Sequence, residues 1–222
     1  MALDNQSEEL FGQTPWQTVG PFFHYGLPWK GGADLIGGSD LGARPELMPE
    51  ANYLLNQPMA RGPIAGQPIE ITGQVFDAAG APVPDAMIEI WQANAAGRYN
   101  SPDDAREALA LEADFTGFGR SSTGEDGGFR FRTILPGRVP GPGNSQQAAH
   151  IAVGVFGRGL IKRLITRLYF AGEDGLDEDP ILALVPPERR ATLIAAKVDG
   201  APATYRFDIR LQGEHETVFF DC

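Results

Sequence analysis

Histidine and tyrosine are the side chains of this sequence that could hold a metal ion. The 222 residues include three histidines and five tyrosines, and His150 begins a strand-like run of apolar residues. Because alternate residues of a strand share one face, a second ligand would stand at position 152, which is Ala152. A lone strand histidine is more often a hydrogen-bonded structural residue than a ligand. Another arrangement would place a metal on His24 and Tyr25, which are adjacent in sequence, or on His215.

Other catalytic chemistries find no support in the motifs. The sequence lacks GxGxxG, a P-loop, GxSxG and HExxH. The acidic segment 172–180 lacks the alternating aspartates of a calcium loop and is predicted to be a solvated surface loop. The segment 157–159 is predicted to be a bulge or turn. Four basic residues could bind a small carboxylate, or could instead form a solvated strand face: Arg158, Lys162, Arg163 and Arg167.

Composition and charge exclude several classes of protein. The chain has 18 basic and 29 acidic side chains and a net charge of −11, which disfavours binding to the phosphates of nucleic acid. The longest apolar runs fall far short of the roughly 20 residues that a transmembrane helix needs. The amino-terminal sequence lacks the order of a secretory signal, and the single cysteine, Cys222, excludes an internal disulfide framework. We therefore expect a cytoplasmic globular protein.

The elements that must position the candidate residues are short strands separated by turns. The sequence contains 28 glycines and 18 prolines, which favours turns over a helix bundle. Apolar and polar residues alternate from Gln67 onward, most clearly between Tyr205 and Leu211. A helix is predicted at Pro187–Val198, which begins with proline and ends before an Asp-Gly pair. The pattern predicts an all-β fold, an antiparallel β-sandwich core with an irregular N-terminal arm and one or two short helices.

The character of the sequence changes near residue 65. Residues 1–65 show no sustained periodicity, apart from a short helix predicted near Pro49–Leu55, and are predicted to form an N-terminal arm and irregular extension. The aromatic side chains between Trp16 and Trp29 are too apolar for a free tail, so we expect them to pack on the core or on a partner. Residues 66–222 are predicted to form the β-sandwich domain.

Several segments together carry a resemblance to a known family. They are TPWQTVGPFF, GAPVPDAMIEIWQANAAGRY, DGGFRFRTILPG, AHIAV, LITRLYF and YRFDIRLQGEHETVFFDC. These segments resemble the intradiol aromatic-ring dioxygenases, and the likeness runs from about Thr14 to Cys222, with breaks mainly at 30–65 and 100–115. The combination of WQANxxGRY with RTxxPG and AHI is specific to this family.

The resemblance implies which parts of the family's iron site this chain keeps. Catalytic chains of the family hold non-haem Fe(III) with two tyrosinates and two histidines. Carried onto this sequence, the first of each is Tyr99 and His150, whereas the second tyrosine falls on Val139 and the second histidine on Ala152. An arginine near the metal becomes Gln147. One tyrosine and one histidine cannot hold Fe(III) against water, so we expect neither a metal nor a catalytic residue in this chain.

The resemblance also implies a partner. In two-chain members of the family the active site is a cleft between homologous chains, where the beta chain holds the iron and the other chain supplies part of the wall. Carried over, that wall is Thr18, Gly20 and Pro21 of the arm with Arg158 of the FGRG segment. Gly20 would let backbone approach a planar ring, Pro21 would fix the path of the arm, and Arg158 would attract an anionic aromatic acid. A loop cap for Thr18 and a surface ion pair for Arg158 are the alternatives.

The reaction implied by the resemblance is the cleavage of 3,4-dihydroxybenzoate by O2 between its hydroxyls, giving 3-carboxy-cis,cis-muconate in an alpha/beta hetero-oligomer. Two other functions stay open at this point. The GxPVPDA turn also occurs in non-catalytic sandwiches similar to transthyretin, which would make the chain a ligand-binding module. A self-sufficient dioxygenase would need an atypical iron site that uses His24, Tyr25 or His215.

Overall fold

The computed structural model describes residues 17–20, 30–44, 62–199 and 203–221, and most of these residues lie in strands or in the turns between them. Short 3-10 helices occupy Leu176–Glu178, Leu182–Leu184 and Pro187–Leu193. No helix in the described ranges is long and apolar enough to cross a membrane. The strands are β1 (Pro68–Phe76), β2 (Met87–Trp91), β3 (Phe118–Ser122), β4 (Gly128–Ile134), β5 (Val139–Pro140), β6 (Gln146–Gln147), β7 (His150–Phe156), β8 (Leu164–Phe170), β9 (Ile194–Val198), β10 (Ala203–Arg206) and β11 (Ile209–Arg210).

One continuous sheet of nine strands forms the body of the fold. Its order is β11-β1-β10-β9-β8-β7-β2-β3, with β4 paired to β1, and a separate ribbon joins β5 to β6. Strand β9 links the two halves because it pairs with β8 on one side and β10 on the other. Apolar side chains from both halves meet in one core, among them Ile71, Ile88, Phe131 and Ile151. The predicted all-β fold is confirmed.

The pairing is mixed rather than purely antiparallel. Strand β1 runs parallel to β10 and β11, and β8 runs parallel to β9, whereas the remaining pairs are antiparallel. Parallel neighbours cannot be joined by a tight hairpin, and each of these pairs unites segments separated by a long connection. The predicted antiparallel sandwich core therefore also contains three parallel pairs.

A segment within the predicted arm belongs to the packed body. Ala33 and Leu35 are fully buried, and the carboxylate of Asp34 accepts a hydrogen bond from Arg132 at 2.9 Å. The backbone of Leu35 donates to Arg132 at 2.8 Å, so the segment 30–44 lies along β4. The boundary at residue 65 between arm and domain stays a prediction. The helix predicted near Pro49–Leu55 lies outside the described residues.

The predicted helix at Pro187–Val198 was wrong over its second half. A 3-10 helix occupies Pro187–Leu193 and is followed directly by β9. Within β9, Ala195 is completely buried in the core, whereas the adjacent Ala196 is exposed. Pairing with β8 and β10 satisfies the backbone of this segment, and this tertiary contact outweighs the helical propensity of its alanines.

The predicted strand between Tyr205 and Leu211 divides into β10 and β11. Its backbone crosses over Gly73 of β1, where a Cβ would collide with the carbonyl oxygen of Phe207. On either side of the crossing, the Phe207 N–H donates to the Thr72 carbonyl at 2.8 Å and the Gln74 N–H donates to the Asp208 carboxylate at 3.0 Å. Near the end of the described residues, a single bridge joins residue 220 to residue 165 of β8.

Candidate functional site

A cavity of about 550 Å³ gathers four of the five positions that the resemblance assigned to the iron site. The positions 99, 139, 147 and 150 all contribute to its wall. The β5–β6 ribbon sets Val139 directly opposite Gln147, beside the start of β7 at His150. Ala152 lies two residues further along β7, opposite Trp91, and borders a neighbouring groove of about 340 Å³. The complete wall consists of Trp91, Tyr99, Ser101, Asp103, Asp104, Ala105, Arg106, Val139, Pro140, Gln147, His150 and Arg167.

The loop after β2 holds Tyr99 in place. The carboxylate of Asp104 accepts the Tyr99 N–H at 2.8 Å and forms a two-pronged ion pair with Arg106, at 2.8 and 2.5 Å. Arg106 also donates to the Gly97 carbonyl at 2.8 Å, which closes the loop on itself. The Tyr99 ring stacks on Trp91 with 5.8 Å between centroids. This pairing with Arg106 lowers the pKa of Asp104 and fixes the phenol at the cavity wall.

Tyr99 and His150 are both neutral at neutral pH. Burial raises the pKa of the Tyr99 phenol, although Arg167 and Arg106 oppose this shift. Burial lowers the pKa of His150. Its Nδ1 lies 2.8 Å from the Ala148 carbonyl, which can only accept, so Nδ1 carries the proton and Nε2 is left as an acceptor.

The residues present do not fit a ferric ion. Val139 and Ala152 offer no donor atom at two of the four implied ligand positions, which leaves one phenol and one imidazole to hold the ion. The guanidinium of Arg167 lies close enough to act electrostatically on both Tyr99 and His150. The described ranges contain no group of three or more His, Cys, Asp or Glu side chains that could hold a metal.

The cavity nevertheless keeps a guanidinium, which comes from a different strand. The resemblance implied an arginine at position 147, where Gln147 stands instead. Arg167, which lies opposite Ala152 in the pairing of β7 with β8, donates to the Gln147 side-chain oxygen at 2.6 Å. Sequence reasoning named Arg167 only as one of four basic residues, because its position depends on a strand register that sequence does not specify.

The other three members of that basic set lie apart from the cavity. Arg158 pairs with Asp85 at 3.3 Å, and Lys162 pairs with Asp221 at 2.8 Å. Arg163 lies over the ring of Phe156. The set is therefore not one anion-binding surface.

Asp179 is a structural carboxylate that sequence reasoning assigned to a solvated loop. It is fully buried and accepts the Ala148 N–H at 2.8 Å and the Tyr169 hydroxyl at 3.1 Å. It also accepts the N–H groups of Ile181 and Leu182 at the start of the 3-10 helix at Leu182–Leu184. The signal that could have found it is an Asp-Pro step before the apolar run ILALV, which is typical of a capping residue.

Three of the four predicted wall residues are described. The Thr18 hydroxyl accepts the Gly159 N–H at 2.9 Å, so this part of the arm contacts the turn that carries Arg158. Gly20 has a φ of +76°, a conformation that favours glycine. Pro21 lies outside the described residues, as do His24 and Tyr25. The remaining candidate for an atypical metal site, His215, lies exposed in a turn beside Glu214.

Comparison with known proteins gives a consistent result. A family model described as "Dioxygenase" matches residues 43–213. The protocatechuate 3,4-dioxygenase alpha chain of Burkholderia cepacia is 42% identical, with 94% of this chain and 97% of that protein covered. The beta chain from the same organism is 36% identical, with 83% and 79% covered. The dioxygenase domain of a carbohydrate-binding fusion protein from Streptomyces sp. SirexAA-E superposes with a TM-score of 0.55 at 27% identity, with 91% of this chain and 99% of that chain covered.

These matches agree with the fold and with the motifs that line the cavity. The class defined by the folded sheet and its cavity is an all-β dioxygenase domain. The chain belongs to the intradiol dioxygenase family.

Proposed function

We propose that this chain is the alpha-type subunit of a protocatechuate 3,4-dioxygenase in which a homologous beta chain holds the non-haem Fe(III). The observation that carries the proposal is the replacement of two iron donors by Val139 and Ala152 in a chain that aligns with almost the full length of an alpha chain. The complex would use O2 to open 3,4-dihydroxybenzoate between its hydroxyls, giving 3-carboxy-cis,cis-muconate. The cytoplasmic location and a higher-order alpha/beta assembly stay predictions.

In this proposal the chain contributes a wall of the cleft that meets the substrate. Arg158 is half exposed and pairs with Asp85 through one terminal nitrogen, and the rest of its planar fork can receive a carboxylate. The hydrogen bond from Gly159 to Thr18 joins this turn to the arm. Gly20, and Pro21 after it, would bring the arm against the substrate ring. These residues would bind and orient the substrate, and none of them would transfer a proton.

The first experiment compares the chain purified alone with the chain co-expressed with a homologue that carries both tyrosines and the His-x-His pair. We expect iron, and dioxygen uptake with protocatechuate, only in the co-expressed sample. Stoichiometric iron with oxygen uptake in the isolated chain would contradict the proposal and favour a site that uses His24, Tyr25 or His215. Stable folding and ligand binding alone, with no activity in either sample, would favour the binding-module alternative.

The role of Arg158 is tested in the complex with Arg158→Ala. We expect the KM for protocatechuate to rise about threefold to tenfold, because a solvent-screened charged hydrogen bond is lost. Catechol lacks the carboxylate, so its KM should change little. Arg130→Ala is the matched control, since Arg130 has a similar exposure and pairs with Glu70 on a strand face. The role of Arg158 in binding the carboxylate would be contradicted if Arg158→Ala raised the KM for protocatechuate and for catechol equally. It would also be contradicted if Arg130→Ala raised the KM for protocatechuate as much as Arg158→Ala does.

A further inference from the structure

We infer that the cavity beside Tyr99 and His150 binds a hydroxylated aromatic carboxylate without any metal, and that Arg167 receives the carboxylate. The inference concerns a site on this chain and does not depend on the proposed function. A volume of about 550 Å³ lies within the usual range of small-molecule sites and accommodates a single substituted ring.

Arg167 supplies the charge that an anionic ligand needs. It donates to the Gln147 side chain at 2.6 Å and to the Tyr169 hydroxyl at 3.5 Å, and its guanidinium lies over the ring of Phe220. In the described part of the chain no carboxylate lies within ion-pair distance of it. A guanidinium has five N–H donors in a planar fork that matches a carboxylate, so two neutral contacts leave most of its capacity unused.

None of the acidic groups near the cavity forms an ion pair with Arg167. Asp104 on the wall is paired with Arg106 through both of its oxygens. Asp179 lies behind the wall, where backbone N–H groups and the Tyr169 hydroxyl occupy both of its oxygens. Asp103 is exposed to solvent, which screens its repulsion of an anion. Arg167 is therefore a guanidinium on the cavity wall that no carboxylate of the described residues pairs with directly, although the chain as a whole carries −11.

A ligand hydroxyl finds complementary partners at the other side of the cavity. The protonated Nδ1 of His150 contacts the Ala148 carbonyl, so Nε2 can accept a hydrogen bond from a phenol. The Tyr99 hydroxyl makes no hydrogen bond to the described residues and can donate to the same phenol oxygen. Both groups line the same cavity of about 550 Å³ as Arg167, so one small molecule can contact all three.

The wall between these polar groups suits a planar ring. Trp91 and Tyr99 form a stacked aromatic pair, and Val139 and Pro140 supply an apolar surface across from it. Val139 is smaller than the tyrosine that the family places there, and it leaves room in the cavity. Apolar walls with a few convergent polar groups are typical of sites that bind an oriented aromatic ligand.

The test is the binding of 4-hydroxybenzoate by the purified complex, measured by isothermal titration calorimetry in wild-type and Arg167→Met proteins. We expect the variant to lose one equivalent of ligand per copy of this chain, or to bind that equivalent at least about tenfold more weakly, because a charge-assisted hydrogen bond is removed. Arg163→Met, directly before β8 and outside the cavity, is the matched control and should keep every equivalent. Equal stoichiometry and affinity in all three proteins would overturn the inference.

A change in the ligand gives an independent test if Arg167→Met does not fold. In the wild-type complex we expect 4-hydroxybenzamide, which lacks the charge, and benzoate, which lacks the hydroxyl, each to bind this site at least about tenfold more weakly than 4-hydroxybenzoate. Equal binding of all three ligands would overturn the inference. Oxygen uptake with no equivalent sensitive to Arg167 would contradict this inference alone. An equivalent of bound ligand that is lost in Arg167→Met, with no oxygen uptake by the complex, would contradict the proposed function alone.

Discussion

Two side chains change the chemistry of a whole cavity. With Val139 and Ala152 in place of metal donors, burial decides the state of the phenol at position 99, because it raises the pKa of Tyr99 by more than the charges of Arg167 and Arg106 lower it. Burial likewise keeps His150 neutral. The same two residues that would ligate a ferric ion in a catalytic chain therefore become one hydrogen-bond donor and one acceptor.

Asp179 leads to the most direct prediction about a single residue. Asp179→Asn replaces an acceptor-only carboxylate by an amide whose NH2 group would face backbone donors, since Ala148, Ile181 and Leu182 all donate to this side chain. We expect the free energy of unfolding to fall by about 2–4 kcal/mol, measured by urea denaturation.

The matched control for this prediction is Asp177→Asn. Asp177 lies in the same acidic segment but is exposed to solvent. We expect the control to change the free energy of unfolding by less than about 0.5 kcal/mol. If both variants unfold at the same urea concentration, the buried hydrogen bonds of Asp179 do not contribute to stability as proposed.

Among the elements, β1 illustrates how one glycine shapes a sheet. Gly73 lies where the chain passes from β10 to β11, and a Cβ there would meet the carbonyl oxygen of Phe207 and the ring of Phe129. Because a backbone oxygen cannot move aside as a flexible side chain can, we expect Gly73→Ala to destabilise the fold by about 3 kcal/mol. Thermal unfolding followed by circular dichroism measures this loss.

Gly157→Ala is the comparison for Gly73→Ala. A Cβ at position 157 would meet only the Leu160 side chain, at 3.7 Å, which is ordinary van der Waals contact. We expect the free energy of unfolding to change by less than about 1 kcal/mol, because alanine also restricts the unfolded chain, which offsets the cost of the new contact. A fully stable Gly73→Ala protein would mean that β10 and β11 can separate from β1 at little cost.

At the scale of the whole molecule, periodicity predicted where strands lie but not how they pair. The alternation that starts near Gln67 matches β1, and the alternation between Tyr205 and Leu211 falls on β10 and β11. The parallel pairing of β1 with β10 and β11 joins the first strand to two of the last, and local alternation carries no information about such partners. For the same reason the motifs identified Tyr99 and His150, whereas the position of Arg167 required the register of β7 and β8.

Buried ionisable groups from separate elements set the pH limits of the fold. Burial raises the pKa of Tyr99, Tyr169 and Tyr205 above the ordinary value of about 10. Above about pH 10 the unfolded chain loses these protons before the folded chain does, so the free energy of unfolding falls as pH rises. Asp104 affects the acid side instead, because Arg106 lowers its pKa in the folded chain. Its contribution to the free energy of unfolding is therefore lost as the pH falls below the ordinary carboxyl range.

His150 adds a loss of stability at mildly acidic pH. Burial lowers its pKa, and this effect outweighs the contact with the Ala148 carbonyl. Below about pH 6.5 the unfolded chain therefore binds a proton that the folded chain does not, so the free energy of unfolding falls as pH drops from about 7. We expect His150→Gln to reduce the change of the urea-unfolding midpoint with pH between about pH 7.5 and 5. His215→Gln, at an exposed histidine, should leave that change as it is in the wild type. If the midpoint of His150→Gln depends on pH as strongly as that of the wild type, His150 is not the source of the acid-side loss of stability.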